Sequence, residues 1–190
     1  MLNKQEFAKI RKDMEDFDKK REELIQLSRN IINLSKRVIY SLHRDDMKSA
    51  SSYVKQINDK KSLLDRKNTN LDININKVAY QEHVEALAYY HFVKNKKIPS
   101  KNSLKVTTED YLMGLCDLTG ELGRKAVNEV IKKNYKKAFE IKELVSEIYG
   151  EFLKFNLRNS ELRKKSDSIK WNLQKLEDLI LELKIKGRLK

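Results

Sequence analysis

Apolar side chains recur at helical spacing along nearly the whole chain, and the polar breaks between them mark out six long segments. In the first, over 3–42, Phe7, Ile10, Met14, Phe17, Leu24, Ile31 and Val38 keep a heptad-like spacing interrupted by Arg21, Ser28 and Ser35. Steps of three and four residues gather such side chains into one stripe, so this helix is expected to pack along its whole length against others. His43-Arg44-Asp45-Asp46 breaks the pattern, and a second helix is predicted over 48–67 with Ala50, Tyr53, Val54, Ile57 and Leu64 inward. Asn68-Thr69-Asn70 then reads as a turn. A third helix is predicted over 75–93, and Pro99 marks a connecting loop after it. Thr107 or Thr108 ahead of Glu109 and Asp110 has the chemistry of a helix N-terminus, a hydroxyl cap followed by acids in the first turn. The fourth helix runs from there to about Asn134. A fifth follows over 137–155 with Ile141, Leu144, Val145, Ile148 and Phe152 inward. The last, over 160–186, carries Leu162, Ile169, Leu173, Leu176, Ile180 and Leu183 in an almost strict heptad and stops at Gly187. The expectation is an all-α bundle of about six long antiparallel helices, one domain over 1–190.

Two of these helices depart from the apolar rule in the same way. In the third, Val78, Tyr89 and Phe92 fall on a register that Glu82 and Glu85 complete, so both acids share the inward stripe. In the next, Asp117 and Glu121 stack four apart among Leu112, Leu115, Leu118 and Leu122. Buried carboxylates need a partner, because unpaired like charges raise one another's pKa. A divalent cation supplies one, and ligands that are all oxygen suit Mg²⁺ or Mn²⁺. The plainer alternative is that each acid pairs with a Lys or Arg from elsewhere. A carboxylate-bridged di-iron bundle is a minor rival, since it needs Glu-x-x-His pairs and no Glu here has a His three residues later. Gly114, Gly120 and Gly123, unfavourable inside a helix, point to close approach of a neighbouring helix or ligand.

Composition narrows the function class. Charged residues are 36% of the 190 and there is one Pro, which favours helices around a thin core. A net charge of +13 attracts polyanions, nucleic acid first among them, although a Lys-rich chain with merely solvated surfaces has the same balance. Arg29, Lys36, Arg37, His43 and Arg44 lie within a short span on the polar face of the first helix, where they can grip phosphates or simply meet solvent. Tyr89 or Tyr90 is available to stack on a base if it is not in the core. His83 falls off the Glu82 and Glu85 stripe, which argues against a metal role. Cys116 is the sole cysteine, expected to be a small core residue in a protein of the reducing cytoplasm. No apolar run reaches the roughly 18 residues of a membrane span. Trp171, Leu179 and Leu181, off the heptad seam of the last helix, are expected at a subunit interface.

The run Asp110-Tyr111-Leu112-Met113-Gly114-Leu115-Cys116-Asp117-Leu118-Thr119-Gly120-Glu121-Leu122 resembles the signature of the translin family, and in particular its factor X branch. So do Tyr80-Gln81-Glu82-His83-Val84-Glu85-Ala86 with His91-Phe92-Val93-Lys94, and Leu27-Ser28-Arg29-Asn30-Ile31 with Ser35-Lys36-Arg37 and Leu42-His43-Arg44. The resemblance implies a helical bundle that assembles, usually as an octamer, into a shell binding single-stranded RNA or DNA. It also implies a metal-dependent endoribonuclease in which Glu82, Glu85, Asp117 and Glu121 match the acids assigned to Mg²⁺ binding and catalysis. The chain departs from the family in its short connection over 94–108 and in Gly123 and Lys125, where bulkier apolar residues are expected. Its compactness suggests assembly with itself, as a homo-octamer carrying an active site in every subunit.

Overall fold

The computed structural model describes residues 2–67, 74–158 and 160–189, and the Asn68-Thr69-Asn70 turn lies outside them. Among the described residues there are seven helices: α1 (Lys4–His43), α2 (Met47–Lys67), α3 (Asn74–Asn95), α4 (Lys101–Leu104), α5 (Thr108–Ile131), α6 (Tyr135–Phe152) and α7 (Glu161–Ile185). The six long ones are those the apolar pattern predicts, and α4 is a single extra turn inside the connection marked by Pro99. The end signals act as expected. The Thr107 side chain accepts the Asp110 backbone N–H at 3.1 Å and its hydroxyl donates to the Asp110 carboxylate at 2.7 Å. Gly187 takes φ +64° just beyond α7.

Helix α1 packs on α2 and α3, α3 on α5, and α5 on both α6 and α7. Hairpin neighbours run antiparallel, as Lys67 near the end of α2 reaching back to Glu23 of α1 shows (2.6 Å). Helices α1, α3 and α5, by contrast, advance in the same direction. Ser28 meets Asn76 at one level and His43 meets Tyr89 at another, while Gly114 of α5 lies against Gln81 and Val84 of α3. The connection between Asn95 and Thr108 makes this possible by returning along the bundle, tied down by Lys61 donating to the Lys105 carbonyl (2.9 Å) and Tyr111 donating to that of Pro99 (3.0 Å).

The core runs through Leu24, Ile31, Ile57, Leu64, Leu118, Leu122, Ile169 and Leu176. The expectation that α1 packs along its whole length is not met. Phe7, Ile10, Met14 and Phe17 are exposed, Met14 by 62%, because α2 is only 21 residues long and ends beside Glu23, leaving the 40-residue α1 to project beyond its partner. Val78 is likewise exposed, so the inward face of α3 runs through Asn76, Ala79 and Glu82 instead. No helix among the described residues is long and apolar enough to cross a membrane.

Candidate carboxylate site between α3 and α5

The parallel course of α3 and α5 brings the four acids together. A Cβ at Gly114 would lie 2.6 Å from Val84 Cβ and 2.7 Å from the Gln81 carbonyl, so only glycine permits this approach, and one turn further along each helix stand Glu85 and Asp117. Gly120 and Gly123 make no comparable contact, so close approach explains Gly114 alone. Glu85 is 8% exposed, and Glu82, Asp117 and Glu121 are half-buried.

Electrostatics records the convergence. Burial pushes the Glu85 carboxyl up to about 9, helped by the charges of Asp117, Glu82 and Glu121. Glu82 is raised by burial, then pulled back by Lys36 and pushed again by Asp117. Asp117 is raised by burial against the pull of Lys165, whose ammonium lies 2.5 Å from its Oδ2. Glu121 moves the other way, lowered by its hydrogen bond from His43 Nε2. No hydrogen bond or ion pair reaches Glu82 or Glu85 among the described residues. Nor, among those residues, are three His, Cys, Asp or Glu side chains placed to hold one ion together. The donor set itself suits a hard divalent cation: four carboxylates within one another's field, Glu85 among them nine-tenths buried and unpartnered.

The basic residues of α1 divide between two environments. Arg29, Lys36, Arg37 and Arg44 are exposed, and Lys36 is close enough to act on Glu82. Arg37 lies over the Tyr53 ring, and Arg44 over Tyr40, whose hydroxyl it also meets at 3.1 Å. His43 leaves this open face. It is buried, with Nε2 on Glu121 and Nδ1 3.3 Å from the Tyr89 hydroxyl, so it orients a carboxylate instead of meeting a strand. Tyr89 and Tyr90 are both buried, Tyr90 bonded to Ser51 at 2.9 Å, and neither is available to stack on a base. His83 lies on the opposite side of α3 from the acids, lining a cavity of about 690 Å³ with Lys61, His91 and Leu104. Cys116 is a core residue, its thiol pushed up to about 12 chiefly by burial.

Two lysines join the inward-facing polar groups, Lys125 buried and Lys165 half-buried. Lys125, where an apolar residue was expected, is buried and donates to the Leu42 carbonyl at the end of α1 as well as pairing with Asp45 and Glu129, which fixes the helix end that carries His43. Lys165 of α7 enters the acid cluster. Its position three after Leu162 and four before Ile169 puts it on the inward stripe, the signal that singles out the acids.

An all-α bundle with four carboxylates gathered between two parallel helices is the class that fold and site define. The chain belongs to the translin family, whose profile matches residues 19–187. It is 26% identical over 228 residues to translin-associated protein X of Rattus norvegicus, covering 95% of this chain and 78% of that protein. To translin of Gallus gallus it is 38% identical over 79 residues, 42% of this chain and 34% of the other. Among solved structures it is similar to apo-NeC3PO, with a TM-score of 0.88 at 32% identity, covering 95% of this chain and 97% of that one. The fold is also that of AfC3PO in its complex with duplex RNA, with a TM-score of 0.84 at 24% identity and the same coverage.

Proposed function

We propose that this chain is a metal-dependent endoribonuclease that hydrolyses phosphodiester bonds of single-stranded RNA, with Glu82, Glu85, Asp117 and Glu121 holding Mg²⁺ or Mn²⁺ in each subunit of a shell-like homo-oligomer in the cytoplasm. The observation that carries this reading is Glu85, nine-tenths buried without a partner and facing three other acids. Such a group is unfavourable for the fold alone, and a divalent cation would discharge it. When bound, such an ion supplies Lewis-acid stabilisation of charge on the phosphoryl oxygens and a more acidic water. The chain's own residues do the rest. His43 and Tyr89 hold Glu121 in orientation, and Lys36 flanks the cluster on the exposed face of α1, which also carries Arg29, where these cations draw in the strand's phosphates. The substrate class is the one the family resemblance implies, and the AfC3PO complex with duplex RNA supports RNA as a ligand that this fold accommodates.

The ion pairs of Asp117 and Glu121 favour a second reading, a binder of single-stranded RNA or DNA in which the acids are structural. Purified protein is incubated with labelled single-stranded RNA, and with DNA of the same sequence, in Mg²⁺, Mn²⁺ or chelator, beside Asp117→Asn. The expected outcome is cation-dependent cleavage of RNA by the native chain and lost cleavage with retained binding in the variant. Tight binding with intact RNA under every condition would establish the second reading.

A further inference from the structure

Resting on that reading of the site, we propose that Lys165 is a resident counter-ion. It occupies the Asp117 corner while no divalent ion is bound and must be displaced for one to bind.

Lys165 Nζ is 2.5 Å from Asp117 Oδ2 and 3.4 Å from the Gln81 side-chain oxygen, beside Glu82. Its charge also acts on Glu82 and Glu85, so one ammonium lies within reach of three of the four acids. A single positive charge held on Asp117 at the mouth of a carboxylate cluster competes with a divalent ion for that corner. This accounts for the absence of any three acids placed around a common point among the described residues, because Asp117 is aligned on Lys165 and Glu121 on His43.

The pair is built to exchange. Both its side chains are about a third exposed, so it lies at the mouth of the cluster where water can replace either partner. A Lys ammonium on a flexible stem is a point charge without the forked grip of Arg. Lys125 shows the contrasting case one helix away. Its side chain is 6% exposed and its ammonium is divided among Asp45, Glu129 and the Leu42 carbonyl, an arrangement nothing is expected to displace.

The test is Mn²⁺ affinity, read by electron paramagnetic resonance titration of the full chain, with circular dichroism to verify folding. Lys165→Met removes the competitor and is expected to bind Mn²⁺ about tenfold more tightly than the native chain. Lys165→Arg, able to hold Asp117 with two parallel hydrogen bonds, is expected to bind it several-fold more weakly. Lys164→Met removes one charge next door, where Lys164 pairs with Glu161 outside the cluster, and is expected to change little. Equal or weaker Mn²⁺ binding by Lys165→Met overturns the counter-ion role while leaving the cation site standing. If neither the native chain nor Lys165→Met binds Mn²⁺, the cation-site reading and this proposal both fall. Should Lys165→Met fail to fold, Lys165→Arg decides: weaker binding supports the proposal, and unchanged affinity overturns it.

Discussion

A carboxyl held at about 9 makes Glu85 the residue whose state most depends on its surroundings. Between its reference value of 4.5 and about 9, the native chain retains a proton that the unfolded chain has released. Stability therefore falls as pH rises through that window, the reverse of what a salt-bridged carboxylate gives. Burial raises Glu82 and Asp117 in the same sense, while Glu121, lowered by His43, opposes them. In chelator, Glu85→Gln is expected to stabilise the protein by roughly 3–5 kcal/mol at pH 8.5, on the order of 10 °C in Tm, and by less than about 1 kcal/mol near pH 5. Thermal unfolding at the two pH values checks this, and a gain independent of pH would show that Glu85 is not the strained group. Its place on an inward stripe was legible from spacing. That it has no partner was not, because the partners available depend on α5 and α7, far away in sequence.

At the scale of the element, the closeness of α3 and α5 is set by Gly114. Its added Cβ would meet Val84 Cβ and backbone at Gln81, neither of which is the yielding end of a flexible side chain. Gly114→Ala should then cost about 1–3 kcal/mol by overpacking, outweighing the roughly 1 kcal/mol that Ala gains over Gly in a helix. Gly123, with nothing within 4 Å, provides the contrast: Gly123→Ala is expected to stabilise by about 0.5–1 kcal/mol. Urea unfolding of the two variants measures both signs. If Gly114→Ala were neutral, the helices would not be held at the distance described. Sequence marked all three glycines alike, since propensity is local and the meaning of a missing Cβ depends on what faces it.

For the molecule as a whole, the first half of α1 carries an apolar stripe that stays exposed. Phe7, Ile10, Met14 and Phe17 form a heptad stripe that the subunit's own core never uses, and Trp171, Leu181 and Ile185 stand exposed on α7. Apolar side chains repeated along one exposed face are suited to packing against another copy of the chain. Replacing Phe7 and Phe17 together by Glu is expected to leave helical content and unfolding of the subunit core intact while lowering the mass found by light scattering. An unchanged mass would place the assembly contacts elsewhere.

The six long helices, to within about three residues at their ends, and the pair of acid-bearing stripes came from the sequence by itself, because spacing along a helix decides which side chains share a face. The heptad of α7 was legible for the same reason, while the threonines and acids ahead of α5 marked a helix start and left Thr107 and Thr108 as alternative caps, of which the structure uses Thr107. The tertiary structure alone decided that α3 and α5 run parallel, that Lys165 and His43 reach the acids, and that the apolar stripe in the first half of α1 stays exposed. These outcomes depend on how the connection before α5 returns and on the unequal lengths of α1 and α2. Local periodicity carries information about neither.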